Sequence, residues 1–249
     1  MIGRALRRWL EHPRTRGLPL DAPATTALRA EIVRSKPLLR RVYEDWYRLV
    51  RAALPAGPGA VLEIGSGAGF LPEFVPEAIT SDVLPCPGAR LVLDAARLPF
   101  RGGSLRAVVT VDVLHHLPDC RAFLAEAARC VRPGGAVVGV EPWVSGLSRL
   151  VYGRLHHEPF RPDAASWTFP STGPLSGANQ ALAWILLARD RARLEAELDR
   201  GVDVAIGSRA VAGARIEVRQ PAYREAMGRA FNALVRALLL PGLRDTQCG

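Results

Sequence analysis

Val61-Leu62-Glu63-Ile64-Gly65-Ser66-Gly67-Ala68-Gly69-Phe70 is the stretch from which the rest of this 249-residue chain can be read. Its first four residues have the apolar character of a buried strand, and its three glycines at alternate positions make a turn that brings the backbone close to a ligand any Cβ would meet. A helix is expected next, the strand–turn–helix setting of nucleotide-type cofactor sites. Spacing narrows the class. Dinucleotide sites place their third glycine at position six, which is Phe70 here; the third glycine falls at position five, Gly69, and an acid, Glu63, stands two places before the first.

Around this stretch the pattern alternates between strands and helices. Apolar positions at helical spacing, Leu28, Ile32, Leu38, Leu39, Val42, Trp46, Leu49 and Val50, predict two helices over 25–54 broken near Pro37. Short apolar runs predict strands at 60–64, 78–81, 91–92, 107–110 and 136–140, with a helix at 121–130. Their near-continuous hydrophobicity fits a parallel sheet covered on both faces, so the fold class is α/β, doubly wound and mostly parallel. Residues 148–179 are less regular, and an insertion of that kind at the carboxyl ends of strands usually shapes a substrate pocket. A helical stretch over 181–198, short strands at 202–207 and 216–219, and an amphipathic helix over 223–240 complete the expectation.

Composition excludes several classes. With 49% hydrophobic and 23% charged residues the chain is an ordinary globular one. The net charge of +9 comes almost wholly from arginine, Lys36 being the only lysine, and no basic run is interleaved with aromatics, so nucleic acid is not an expected partner. Cys86, Cys120, Cys130 and Cys248 form no C-x-x-C pair and fit a reducing cytoplasm. Neither a signal peptide nor a run of ~20 apolar residues is present, which leaves peripheral contact as the form of membrane association compatible with the sequence.

Glu63-x-Gly65-x-Gly67-x-Gly69 resembles motif I of the class I S-adenosylmethionine-dependent methyltransferases. Asp94-Ala95-Ala96 before Leu98-Pro99-Phe100, Val111-Asp112-Val113-Leu114-His115-His116-Leu117-Pro118 and Val131-Arg132-Pro133-Gly134-Gly135 follow in the order found in the subgroup named for the ubiquinone and menaquinone methylases, and the resemblance covers about 18–194. It implies S-adenosyl-L-methionine as cofactor, bound by Glu63, Gly65, Ser66, Gly67, Gly69, Asp82, Asp94, Ala95 and Asp112. Asp82, seventeen positions past Gly65, would accept from both ribose hydroxyls, and Asp94 would meet the adenine amino group. From Trp143 on, the chain is similar to bacterial members associated with surface-polysaccharide genes, which implies a small-molecule or lipid-linked saccharide substrate. His115, His116, His156 and His157 are the candidate bases, since imidazole titrates near neutrality, and the sequence does not choose among them. No metal is expected: adjacent histidines such as His156 and His157 diverge by about 100° on a helix.

The last 54 residues, 196–249, resemble instead the back half of a family 2 polyprenyl-phosphate glycosyltransferase, through Asp203-Val204-Ala205-Ile206-Gly207-Ser208-Arg209, Arg219-Gln220-Pro221-Ala222-Tyr223-Arg224, Gly228-Arg229-Ala230-Phe231-Asn232 and Leu243-Arg244-Asp245-Thr246-Gln247-Cys248-Gly249. The expected organisation is a helical cap over 1–59, a methyltransferase domain over 60–195 and a glycosyltransferase-like remnant over 196–249. The alternatives are an inactive or binding-only chimeric chain and part of a glycosyltransferase, the latter without a donor-binding front half. A nicotinamide oxidoreductase is disfavoured by Phe70.

Overall fold

The structure, a computed structural model, describes residues 12–154, 156, 158–197 and 203–207. Helices α1 (Pro23–Ser35) and α2 (Pro37–Ala53) lead into β1 (Ala60–Ile64), β2 (Ala78–Asp82), β3 (Leu91–Val92) and β4 (Leu105–Val111). Then come α3 (Cys120–Cys130), β5 (Val131–Val140), α4 (Gly146–Arg154), the short α5 (Leu182–Trp184), α6 (Arg191–Glu197) and β6 (Asp203–Gly207). The six strands form one sheet in the order β3-β2-β1-β4-β5-β6, all neighbours parallel. Chain order reverses between β1 and β4, and the carboxyl ends of these two strands flank the crevice where open α/β sheets bind ligands.

Strand alternation sorts the core into two layers. Leu62, Ile64, Val108 and Val137 point to one face, where they pack with α3, Trp167 and the Leu182–Leu186 segment. Val61, Ala107, Val109, Ala136 and Val138 point to the other and pack against Val33, Tyr47 and Val50 of α1 and α2. Lys36 between these two helices is extended, φ −91° and ψ 111°, as the residue before Pro37 must be to avoid the proline ring. The face α2 buries is Tyr47 and Val50, with Tyr43, Trp46 and Leu54 packed alongside; Leu38 and Leu49, expected on it, lie outside that stripe and are exposed. Asp119 caps α3 by accepting the Ala122 N–H at 3.0 Å.

Two expectations are corrected. The helix expected after the glycine turn is a single 3₁₀ turn, Leu71–Glu73, because Pro72 and Pro76 deny the amides an α-helix needs and only thirteen residues separate β1 from β2. The helical stretch over 181–198 is broken: Ile185–Arg189 is a wide π turn closed by Asp190 N–H to the Ile185 carbonyl, and α6 starts afresh behind Asp190. Of the tail, the strand expected at 202–207 forms as β6 beside β5, while the strand at 216–219, the helix at 223–240 and the motifs past Gly207 lie outside the described residues. Among the described residues no helix is long and apolar enough to cross a membrane.

Candidate active site

At the carboxyl ends of β1, β2, β3 and β4 lies a cavity of about 850 Å³, in the upper part of the range of small-ligand sites. One half is the glycine loop, and its backbone is fixed from every side. Gly67 N–H donates to Asp82 Oδ2 at 3.0 Å, Ser66 N–H to the Ser81 carbonyl at 2.8 Å, and Phe70 N–H to the Tyr47 hydroxyl at 2.9 Å. Arg34 adds a bond from its guanidinium to the Gly69 carbonyl at 2.9 Å. Two of the glycines are sterically required. Gly65 sits at φ +68° with a Cβ position 2.5 Å from Val113, and a Cβ on Gly69 would strike the Tyr47 hydroxyl.

Glu63 is buried beneath this loop. The Ser66 hydroxyl donates to its carboxylate at 2.6 Å, and Ser81 donates its hydroxyl to the Glu63 carbonyl and its N–H to Ser66 Oγ. Burial pushes the Glu63 carboxyl up to about 7, against the pull of the Ser66 bond. Asp82 closes β2; each of its oxygens accepts one backbone N–H, from Gly67 and from Leu84 at 2.9 Å, which leaves each a further lone pair towards the cavity. Asp94 is exposed in an Asx turn onto Ala96 N–H at 2.9 Å, with buried Ala95 beside it on the cavity rim.

Asp112 ends β4 at φ +60°, a strained backbone for a residue other than glycine, fixed by its N–H to the Val140 carbonyl at 2.8 Å. The conformation leaves its side chain exposed within the cavity. Enclosure by protein pushes its carboxyl up to about 6; the charge of His115 opposes this, while Glu141 and Glu158 add to it. The orphaned hydroxyl of buried Thr26, with its methyl 3.5 Å from the Cβ position of Gly67, also lines this half.

The opposite wall is the stretch between β5 and α5. Trp167 is its anchor, buried to 1% exposure, with its indole N–H on Asp190 at 2.8 Å and the Arg193 guanidinium 4.3 Å from the ring centroid. Buried Asn179 folds the rest: its amide oxygen accepts from Arg161 and Ala181 N–H, its amide nitrogen donates to the Arg161 carbonyl, and its own N–H meets the His115 carbonyl at 2.8 Å. Across the cavity mouth Asp21, ahead of α1, accepts the Leu175 N–H at 2.6 Å and the Ser176 hydroxyl at 3.0 Å.

This arrangement brings the candidate histidines to one place. His115 and His116 lie on the 3₁₀ turn Leu114–His116 with ring centroids 4.3 Å apart. Glu141, at the end of β5, accepts Val113 and Leu114 N–H on one oxygen and His115 Nδ1 on the other at 2.9 Å. Burial opposes charge on His115, but the Glu141 bond and charge prevail and raise its pKa; burial and the neighbouring His115 lower that of His116. Glu158, held by the Gln180 amide, faces both rings. His156 accepts the Glu158 N–H on Nδ1 at 3.3 Å, and His157 lies outside the described residues. Glu141, Tyr47 and Gln180 escaped the sequence reading; for Glu141 the available signal was an acid directly following an apolar strand, at the ligand-binding edge.

Residues 62–139 match the family described as "Methyltransferase domain". The chain is 31% identical over 113 residues to phthiotriol/phenolphthiotriol dimycocerosates methyltransferase of Mycobacterium tuberculosis and Mycobacterium bovis, a match spanning 38% of this chain and 42% of the relative's length. A SAM-dependent methyltransferase from Aquifex aeolicus shares 18% identity, with 45% of this chain and 68% of that one covered and a TM-score of 0.36. Geranyl diphosphate C-methyltransferase from Streptomyces coelicolor, in complex with Mg2+, geranyl diphosphate and S-adenosyl-L-homocysteine, shares 15%, with 54% and 60% covered and a TM-score of 0.34.

Proposed function

We propose that the chain, whose residues 62–139 match the methyltransferase-domain family, is a class I S-adenosylmethionine-dependent enzyme that moves the cofactor's methyl group to an oxygen or carbon of a small or lipid-linked acceptor, a saccharide among them. The supporting observation is that one cavity is lined both by the glycine loop with Asp82, Asp94 and Ala95 and by the wall bearing His116, Tyr152, His156 and Glu158. In this reading the loop backbone, Asp82 and the Asp94–Ala95 turn hold the nucleoside, and Glu63 and Ser66 hold the loop. The opposite wall receives the acceptor. The described part of 1–59 covers the cofactor half, 60–195 form the catalytic body, and within 196–249 residues 203–207 supply the strand beside β5.

Methyl transfer asks little of the protein, because the sulfonium is already an activated electrophile; alignment of the acceptor atom against the methyl carbon is the main contribution. Bound S-adenosylmethionine would supply the methyl group, the electron pair of its carbon–sulfur bond remaining on sulfur as the acceptor atom takes the carbon. A hydroxyl acceptor must also lose a proton. His115 is sealed at 1% exposure, and His156, accepting on Nδ1, carries its proton on Nε2 and donates there. Asp112, open to the cavity with its carboxyl at about 6, is the better-placed receiver. Calorimetry with S-adenosylmethionine tests the assignment. The wild-type chain binds, and the folded fraction of Gly67→Val, whose Cβ meets contacts at 3.4–3.5 Å on a backbone strained at φ +25° and stands in the ligand's path, does not. Tight binding by that variant would remove the loop from the site.

A further inference from the structure

We propose that His115, His116 and Glu158 form a binding site for one divalent transition-metal ion on the acceptor wall. The hydrogen bonds fix where the imidazole protons are. His116 Nδ1 lies 3.3 Å from the Gly177 carbonyl, which can only accept, so the proton is on Nδ1 and the lone pair on Nε2. His115 Nδ1 lies 2.9 Å from Glu141 Oε2, an acceptor whose other oxygen already takes two backbone N–H groups. Its proton too belongs on Nδ1. With both rings neutral, as in a metal site, the two Nε2 lone pairs face the same carboxylate, at 3.8 Å from Glu158 Oε2 for His115 and 3.6 Å from Oε1 for His116. These separations exceed hydrogen-bond length, and acceptor facing acceptor is repulsive unless a cation lies between them.

The three ligand atoms lie within 4.8 Å of one another. Ligands about 2.0–2.2 Å from a tetrahedral ion stand roughly 3.4 Å apart, so the site closes with relative movements of the side chains of about 1.4 Å at most. The surroundings are those of a metal centre. Each histidine gives its second nitrogen to a carboxylate or carbonyl, and Gln180 orients Glu158, the supports that fix tautomer and ligand direction. Two imidazoles and one carboxylate suit zinc, iron(II) or cobalt(II) rather than magnesium, and they leave positions open towards the cavity. An ion there could bind an acceptor oxygen and lower its pKa, a role that rests on the function proposed above; the binding of the ion does not.

The test uses the full chain, stripped with a chelator and titrated with Zn2+ by calorimetry and with Co2+ by its visible d–d bands. One ion per chain is expected, with affinity reduced more than about 100-fold in His116→Ala and in Glu158→Gln, while both variants keep the wild-type unfolding temperature in chelator. Gly67→Val should still bind one ion. Loss of S-adenosylmethionine binding by the wild-type chain with the ion site intact would count against the proposed function and not against the site. If either variant fails to fold, the wild-type chain still decides: histidine ¹⁵N resonances must show Zn2+ on Nε2 of both His115 and His116. Absent Zn2+ binding, affinity unchanged in the folded variants, or imidazole resonances unmoved by Zn2+ would each overturn the proposal, the last leaving a His115 imidazolium as the cation between Glu141 and Glu158.

Discussion

The glycine-loop half of the cavity is held by backbone amides answered from β2 and α2 and a carbonyl answered from α1, whereas the opposite wall contributes no strand to the sheet among the described residues and is anchored by one buried tryptophan and one buried asparagine. The loop is therefore stiff because the sheet is stiff, and the wall is shaped by whatever its few anchors permit. In the proposed reading the loop fixes a cofactor geometry, and the wall is free to differ with the acceptor without disturbing it.

The sharpest way to break this contrast is Trp167→Ala. Emptying the largest fully buried side chain among the described residues should cost about 3–5 kcal/mol of stability, read by denaturant unfolding, while cofactor binding by the folded fraction persists. Loss of binding in that fraction would show that the two halves are one unit. Glu63 gives the next largest effect. Its carboxyl is raised from 4.5 to about 7 by burial, so between these values the native chain holds a proton that the unfolded chain has released. Its stabilising contribution is complete below pH 4.5 and lost as pH rises through 7, at most about 3 kcal/mol. Thermal melts across this window should fall less steeply for Glu63→Gln than for the wild type; parallel curves would place the titration elsewhere.

Asp82→Ala should weaken S-adenosylmethionine binding by roughly 1.5–3 kcal/mol, the worth of hydrogen bonds to a charged group. A folded variant with unchanged affinity would take Asp82 out of the site and leave it only its bonds to Gly67 and Leu84. Smallest is Tyr47→Phe, which leaves the Phe70 amide without its partner and should cost about 1–2 kcal/mol in thermal stability. If the midpoint does not move, α2 is not what holds the loop.

The contrast also explains what could be read in advance. β1, β2, β4 and β5 are apolar runs between turn residues, so their existence, the parallel sheet and the glycine loop at its switch point were visible before any coordinates; strand ends shifted by one or more residues, as at Asp82 and Leu105. Tyr47 was hidden because a tyrosine at helical spacing reads as core, and its hydroxyl bond to Phe70 joins positions 23 residues apart. Trp167, Asn179 and Glu158 carry no periodic signal: each acts through partners fixed only when the wall folds back on the His115 loop. The break at Asp190 was invisible for the same reason, since Trp167 is one of its partners.

The connection from β1 to β2 has a consequence for charge. In dinucleotide sites the glycine turn opens a helix whose aligned peptide dipoles and free amides seat a pyrophosphate. Here the turn runs into three residues of 3₁₀ helix, too few to build such a field, and the amides of Gly67 and Phe70 are already spent on Asp82 and Tyr47. A ligand bearing phosphates would find no helix-borne anion seat at this turn. In the proposed reading a nucleoside carrying a sulfonium needs none, and beside Asp82 and Asp112 its positive charge would meet carboxylates instead of the positive end of a helix.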